Sequence, residues 1–281
     1  MATSAQSDPT RSQKNTTHLI HYQLIMLLLK QLTSFLDGLF ADYSVQDYSN
    51  NGLQVEGNAT IRKAAFAVDA CLETFERAAQ TGADFLFCHH GLSWGGGLPY
   101  ITGIHANRLR TLLNHGISLY AVHLPLDAQK TVGNNAQLAA LVGLSPELRH
   151  PFAEYHGLQI GFYGNYAEPT TLEAIAEKLN KALPTACRIL DNRGGNPIRS
   201  NAIVSGGGDD SIEEAAALPV DAFLTGEMLH QRYHTAKELG ISVIIAGHYA
   251  TETTGPKAVM NAVRLKFPDL PVEWLDVPTG M

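Results

Sequence analysis

The chain has few cysteines. Cys71, Cys88 and Cys187 are an odd number with no C-x-x-C spacing, a pattern that excludes a disulfide framework and fits a reducing compartment. It also has no block of Lys or Arg, and its net charge is -7. Nothing in it suggests an electrostatic grip on nucleic acid or on an anionic membrane. Long apolar runs are missing too. The longest, Leu24 to Leu29, is broken by Lys30 and is too short to cross a bilayer. No small-residue cleavage site accompanies it, which argues against a signal peptide. These absences together point to the cytoplasm. What the chain does have is core: 281 residues, 45% hydrophobic and 17% charged, enough for one large domain or two smaller ones.

Residues 1–23 read as a disordered tail, since Met1 to about Thr17 is rich in Ser, Thr, Gln and Asn with little to bury. Beyond it, apolar strand-like segments are expected at Ala64–Val68, Asp84–Cys88, Leu119–Val122, Leu158–Tyr163, Ala202–Val204, Ala222–Thr225 and Val243–Ala246. Helix-like stretches alternate with them: Leu24–Phe40, Leu72–Gln80, His105–Asn114, Ala136–Val142, Leu172–Ala182, Ile212–Ala217, His230–Glu238 and Pro256–Phe267. Thr170 with Glu173, and Ser211 with Glu214, have capping-box spacing. Strands apolar throughout and alternating with helices predict a largely parallel α/β sheet. A weak internal repeat accompanies this pattern. "VDACLETFERAAQTGADFLFCHH" lies over "SGGGDDSIEEAAALPVDAFLTGE", matching Asp84 with Asp221, and "HGISLYAVH" lies beside "LGISVIIAG". The expected division is 24–130 plus 240–281 for one α/β unit and 131–239 for the other. Ligands in open α/β sheets bind beyond the carboxyl ends of strands, so a site is expected in the crevice between the two.

Those strand ends carry unusual residues. The run "FLFCHHGLSWGGG" stops on His89 and His90, and "YAVHLPLDA" offers His123 and Asp127. "FLTGEMLHQRYH" offers Glu227, His230 and His234, while "IIAGHYATETTGPKA" offers His248 and Glu252. A single histidine on an apolar strand is most often structural, but four strand ends bearing imidazole or carboxylate together point to a metal. Imidazole and carboxylate suit Zn²⁺, Mn²⁺, Fe²⁺ or Co²⁺. Neighbouring histidines on a strand face opposite ways and can therefore reach two different ions, which a carboxylate such as Glu252 can bridge. His248 and Glu252 are spaced for one helical turn. "SGGGDD" joins a strand to a helix but lacks nucleotide-motif spacing, and "GLSWGGGLPYITG" reads as a surface loop or a substrate lid. Pro256 stands at an expected first helical position, where free N–H groups would form a seat for an anion.

Taken in order, "YSNNGLQVEG" (48–57), "FCHHG" (87–91), "HLPLDA" (123–128), "GNNAQLAALVGL" (133–144), "SGGG" (205–208), "TGEMLHQ" (225–231) and "GHYATETTG" (247–255) resemble the NIF-three-like family of dinuclear metal-centre hexamers, whose bacterial members are called GTP cyclohydrolase 1 type 2 homologues. The resemblance covers Leu24 to Leu275. It implies two intertwined α/β/α halves, six subunits in a ring, and two divalent ions per subunit (Zn, Fe, Mn or Co). The implied ligands are His89, His90, Asp127, His248 and Glu252. One arrangement gives His90 and Asp127 to one ion and His89 and His248 to the other, with Glu252 bridging. Where relatives can carry a basic residue after the paired histidines, this chain has Gly95-Gly96-Gly97. The implied activity is metal-dependent hydrolysis of a nucleotide-like substrate. His123, one turn before Asp127, is then the first acid–base candidate; its competing role is to orient Asp127. Glu227 and His234 are weaker candidates that shape the pocket wall. The alternative function is a non-enzymatic hexameric metal-binding or regulatory scaffold.

Overall fold

A computed structural model describes Met1 and residues 27–281; the expected tail lies outside the described residues. A two-residue strand β1 (Leu27–Leu28) precedes helix α1 (Leu29–Phe40), which leads to β2 (Gly52–Val55), and β3 (Thr60–Ile61) pairs back with β1. Then β4 (Ala64–Asp69), α2 (Leu72–Thr81), β5 (Phe85–His90), α3 (Gly103–Asn114) and β6 (Ser118–Ala121) alternate and end in the short helix α4 (Leu124–Ala128). The second part runs α5 (Asn134–Val142), β7 (Leu144–Tyr155), β8 (Leu158–Thr170), α6 (Leu172–Ala182) and β9 (Arg188–Leu190). It continues through β10 (Ile198–Val204), α7 (Ile212–Ala217), β11 (Ala222–Thr225), α8 (Arg232–Leu239), β12 (Ser242–Ile245) and α9 (His248–Glu252). Helix α10 (Thr254–Lys266) and strand β13 (Val272–Trp274) then return to the first part. Among the described residues no helix is long and apolar enough to cross a membrane.

Two sheets result. The first has the order β13-β4-β5-β6-β2 and the second β7-β8-β10-β11-β12-β9. Their centres are parallel, as the fully apolar strands predict, because helices cover both faces. Phe66, Phe85 and Phe87 pack on one face of the first sheet with Leu32, Leu36, Val259 and Val263, while Leu86, Phe75 and Leu112 fill the other. The second sheet is likewise covered on both sides.

The edges differ from the parallel expectation: β2, β7, β8 and β9 pair antiparallel. For β7 and β8 the cause is the connection. His156 and Gly157 alone join them, both at positive φ (51° and 86°), the conformation of a tight hairpin turn that permits only antiparallel pairing. The division expected at 239/240 also shifts. Strand β12 pairs with β11 and β9 in the second sheet, whereas α10 and β13 lie with the first. The expected caps move as well. Thr171 rather than Thr170 caps α6, accepting from the Ala174 N–H, and Glu214 binds the Ala153 N–H instead of serving a box with Ser211.

Candidate metal centre

The carboxyl ends of β5, β6, β10 and β12 converge on one buried cluster. Strand β5 ends on His89 and His90, whose rings converge at its carboxyl end with centroids 4.6 Å apart. After β6, the chain turns at His123 into α4, where Pro125 sits in the first helical turn and Asp127 follows. After β12, Gly247 (φ 85°) turns the chain into α9, whose single turn puts His248 and Glu252 on one face. After β10, Gly206 (φ 61°) passes so close that a Cβ there would overlap Glu252 Oε1. Glycine is required at this approach.

Glu252, almost wholly buried, lies at the centre. Its Oε1 is 3.5 Å from His89 Nε2 and 3.2 Å from His248 Nε2, and its Oε2 is 3.3 Å from His90 Nε2. Asp127 Oδ1 stands 3.6 Å from His89 Nε2. Each imidazole is held from behind. His89 Nδ1–H donates to the Val122 carbonyl (2.9 Å), His90 Nδ1 meets Asp69 (2.8 Å), His248 Nδ1 meets Glu227 (3.1 Å) and His123 Nδ1 meets Asp47 (2.9 Å). Fixing one ring nitrogen with an acceptor leaves the other presented as a ligand, the usual arrangement of metal-binding histidine. Asp127 is fixed similarly, accepting from Asn134 Nδ2 (2.9 Å) and Ser205 Oγ (3.2 Å).

The electrostatics show unmet negative charge. Burial pulls the His89 imidazole down, but Asp127 and Glu252 outweigh it and lift its pKa to about 10. Burial likewise opposes charge on His248, yet Glu252 and Glu227 raise it to about 9. Burial pushes Glu252 up, while His90, His89 and His248 hold its carboxyl well below the usual range. Asp47 is depressed to about 2: burial works against ionisation, and the His123 contact and the Asn51 and Ser49 donors overcome it.

The donor set fits a metal. His89 Nε2 and Glu252 Oε2 are buried with no hydrogen-bond partner among the described residues, a costly state for polar atoms without a ligand. Ligands bound at about 2.0–2.2 Å around a tetrahedral ion lie roughly 3.3–3.6 Å apart, close to the 3.2–3.6 Å separations here. Two triads, His89/His90/His123 and His90/His248/Glu252, bring ligand atoms within 4.8 Å of one another. Asp127 stands beside His89, which shares Glu252 Oε1 with His248, while His90 faces Oε2. His123 approaches the cluster by its ring, 5.2 Å from that of His89, and its side chain is held by Asp47, with no hydrogen bond to Asp127. His234 is exposed on α8, its ring against Tyr233. Glu227 reaches His248. The anion seat expected at α10 is filled from within, since the Gly255 N–H donates to Asn134 Oδ1.

Sequence reasoning passed over Asp69 and Asp47. Asp69 had a signal, because "AFAVDA" ends an apolar strand on a carboxylate. Asp47 lies in an irregular loop and had none. From the cluster, His90, Glu227, His248 and Glu252 open onto a cavity of about 280 Å³. His90 also borders a second, of about 410 Å³.

Fold and site define an α/β protein with a histidine–carboxylate cluster able to hold a metal, shared between two sheets. The chain belongs to the Duf34/NIF3 (NGG1p interacting factor 3) family, which it matches over residues 27–279. A Pyrococcus horikoshii relative named GTP cyclohydrolase 1 type 2 homolog is 46% identical over 251 residues, covering 89% of this chain and 98% of its own. A Deinococcus radiodurans relative of the same name is 41% identical over 236 residues, 84% of this chain and 88% of that one. Among solved structures, the protein ybgI, described as of unknown function, is 35% identical with a TM-score of 0.82, covering 91% of this chain and all (100%) of that one. Reduced HcgD from Methanocaldococcus jannaschii is 28% identical with a TM-score of 0.77, covering 91% and 100%.

Proposed function

We propose that the protein binds two divalent ions per subunit through His89, His90, Asp127, His248 and Glu252, and uses them to hydrolyse a nucleotide-like substrate. The observation that carries this reading is Glu252: a buried carboxylate whose Oε1 faces the Nε2 atoms of His89 and His248 and whose Oε2 faces that of His90, with Oε2 lacking a hydrogen-bond partner among the described residues. A bridging carboxylate has this disposition. The name shared by the relatives makes guanine nucleotides the first substrates to test.

Bound divalent ions would supply Lewis acidity and lower the pKa of a nearby water. The protein's own residues do the rest. Asp69 and Glu227 hold the His90 and His248 rings in place, and the burial of His89, Asp127 and Glu252 strengthens the charge interactions among them. His123, its Nδ1 engaged by Asp47, has Nε2 free to take up or return a proton beside the cluster. The subunits assemble as a hexamer in this reading.

The test is metal content per subunit, followed by a hydrolysis screen of GTP and phosphoesters with that metal restored. Two ions and turnover support the proposal; two ions without turnover favour the scaffold alternative. His123→Ala should keep the metals while cutting turnover by about 10²–10⁴-fold. Sedimentation showing only monomer at micromolar concentration removes the hexamer and leaves the metal reading intact.

A further inference from the structure

We propose that the 410 Å³ cavity between Trp94 and Arg108 seats a nucleotide, its base stacked on the Trp94 indole and its phosphate paired with the Arg108 guanidinium. The link to turnover rests on the hydrolase reading above; the binding site itself does not. The cavity is within the usual range for small-molecule sites, about 300–1,000 Å³. It is walled by Asp69, His90, Gly91, Trp94, Arg108 and Pro278, among others, so an occupant reaches the metal cluster through His90.

Trp94 is an exposed aromatic on a fixed mount. Its Nε1–H donates to the Gly91 carbonyl at 2.7 Å, and the Leu92 and Ser93 N–H groups both donate to Gln54 Oε1, at 2.7 and 2.9 Å. A bridge to Ser49 ties the same segment down. The indole's one polar atom is thus committed, yet the residue is 37% exposed, leaving ring surface as what it can offer. Its centroid lies 5.1 Å from that of His123 and 6.1 Å from that of His90. A base stacked there would lie beside the cluster. Stacking on an aromatic side chain suits any base because each has a π-face.

Arg108, half-buried on α3, is a cation lining this cavity with no hydrogen-bond or ion-pair partner for its side chain among the described residues. The carboxylates beside it are taken: Asp69 by His90 Nδ1 at 2.8 Å, and Glu73 by Arg77 at 2.5 Å. Among the described residues no carboxylate pairs with Arg108. Arg108 and Trp94 line one cavity, so a ligand with both a phosphate and a base can use the two together: the planar guanidinium fork binds phosphate oxygens in pairs.

The experiment uses the purified, metal-loaded full chain with GMP, guanosine and inorganic phosphate as probes. Affinities are measured by calorimetry, which needs no tryptophan; the chain's other tryptophan is Trp274 on β13, so a Trp274→Phe variant leaves Trp94 as the sole tryptophan reporter. GMP should quench it. Trp94→Ala should weaken GMP binding by about 5- to 150-fold, and Trp94→Phe should recover most of the loss. Arg108→Ala should weaken GMP at least tenfold while leaving guanosine within twofold. Metal content should be equal in all variants. Affinity for GMP within twofold of wild type in Trp94→Ala overturns the site, as does an equal loss of GMP and guanosine in Arg108→Ala, or no GMP binding at all. Trp94-dependent GMP binding without turnover keeps the site and removes the hydrolase. Turnover that ignores Trp94→Ala does the reverse.

Discussion

In the first sheet, register pairs Ala67 with Cys88; in the second, it pairs Val204 with Thr225. Two residues on from each pair stand Asp69 and His90 in one half, Gly206 and Glu227 in the other. The backbone is duplicated to this point. Asp84 accepts from the Arg62 N–H (2.8 Å) just as Asp221 accepts from the Arg199 N–H (2.7 Å). Gly116 and Gly240 turn the chain at matching places with φ of 64° and 70°. The chemistry is not duplicated. The first half places a carboxylate before its helix and an imidazole on its strand; the second places glycine and a carboxylate there, and moves the imidazole to α9. In both halves a carboxylate holds a histidine Nδ1, but in the second the pair is shifted one strand along, from β4 and β5 to β11 and α9. A repeat supplies strand ends in equivalent positions, and the room left by Glu252 decides what each may carry.

The sharpest way to break the comparison is Glu252→Gln, which removes the charge both halves converge on. Both ions should be lost, with affinities falling more than the roughly 100-fold that an orienting partner can cost, as metal analysis after dialysis would show. Gly206→Ala asks whether the second half could tolerate a side chain where the first has Asp69. Its Cβ would collide with Glu252 and come within 3.2 Å of His248 Nε2, so metal content should fall although no ligand has changed. Asp69→Asn and Glu227→Gln test the one role that the two halves place on non-equivalent strands. Each should weaken metal binding by about 10–100-fold; a neutral Glu227→Gln with a damaging Asp69→Asn would mean the halves are not equivalent there.

The smallest effect concerns the shared scaffold. Asp84 is buried and also takes Arg62 Nη2 at 2.7 Å, so Asp84→Asn should cost about 1–3 kcal/mol in urea unfolding at pH 7. Asp221 is only half-buried, and Asp221→Asn should cost about 0–1 kcal/mol. Burial pushes Asp84 up, but Arg62 overrides it and holds the carboxyl below its ordinary value. Its contribution is therefore full above the unfolded pKa, about 4, and is lost as pH falls through the lower folded value. The gap between wild type and Asp84→Asn should close on acidification.

The parallel centre of both sheets was legible because "AAFAV", "FLFC", "AFLT" and "SVII" are apolar on both faces. The His248–Glu252 turn was legible from spacing alone. Strand β7 was not: Pro146 and Pro151 interrupt it, and its burial follows no period of two, since much of it runs along an exposed edge. The orienting pairs were hidden by distance, as nothing local links Asp47 to His123 or Asp69 to His90. The same holds for Arg108, which becomes notable only when α3 brings it to the Trp94 cavity. Single carboxylates and arginines are common in loops and helices, and only the tertiary fold distinguishes these.

The return of the chain to the first sheet has a consequence for the order of folding. Strand β13 pairs with β4 through Val272–Ala64, Glu273–Ala65 and Trp274–Phe66, and Val259 and Val263 of α10 share a core with Phe66 and Phe85. During synthesis these partners emerge only after the entire second sheet has been made. The half that starts first thus cannot finish first, and one face of β4 and β5 has only α1 to cover it while the intervening segment folds. Contacts of such long sequence separation slow folding and lengthen the exposure of apolar surface. A chain that has completed its second sheet would still lack α10 on the first, and α10 is the segment whose docking closes the core that α1 begins.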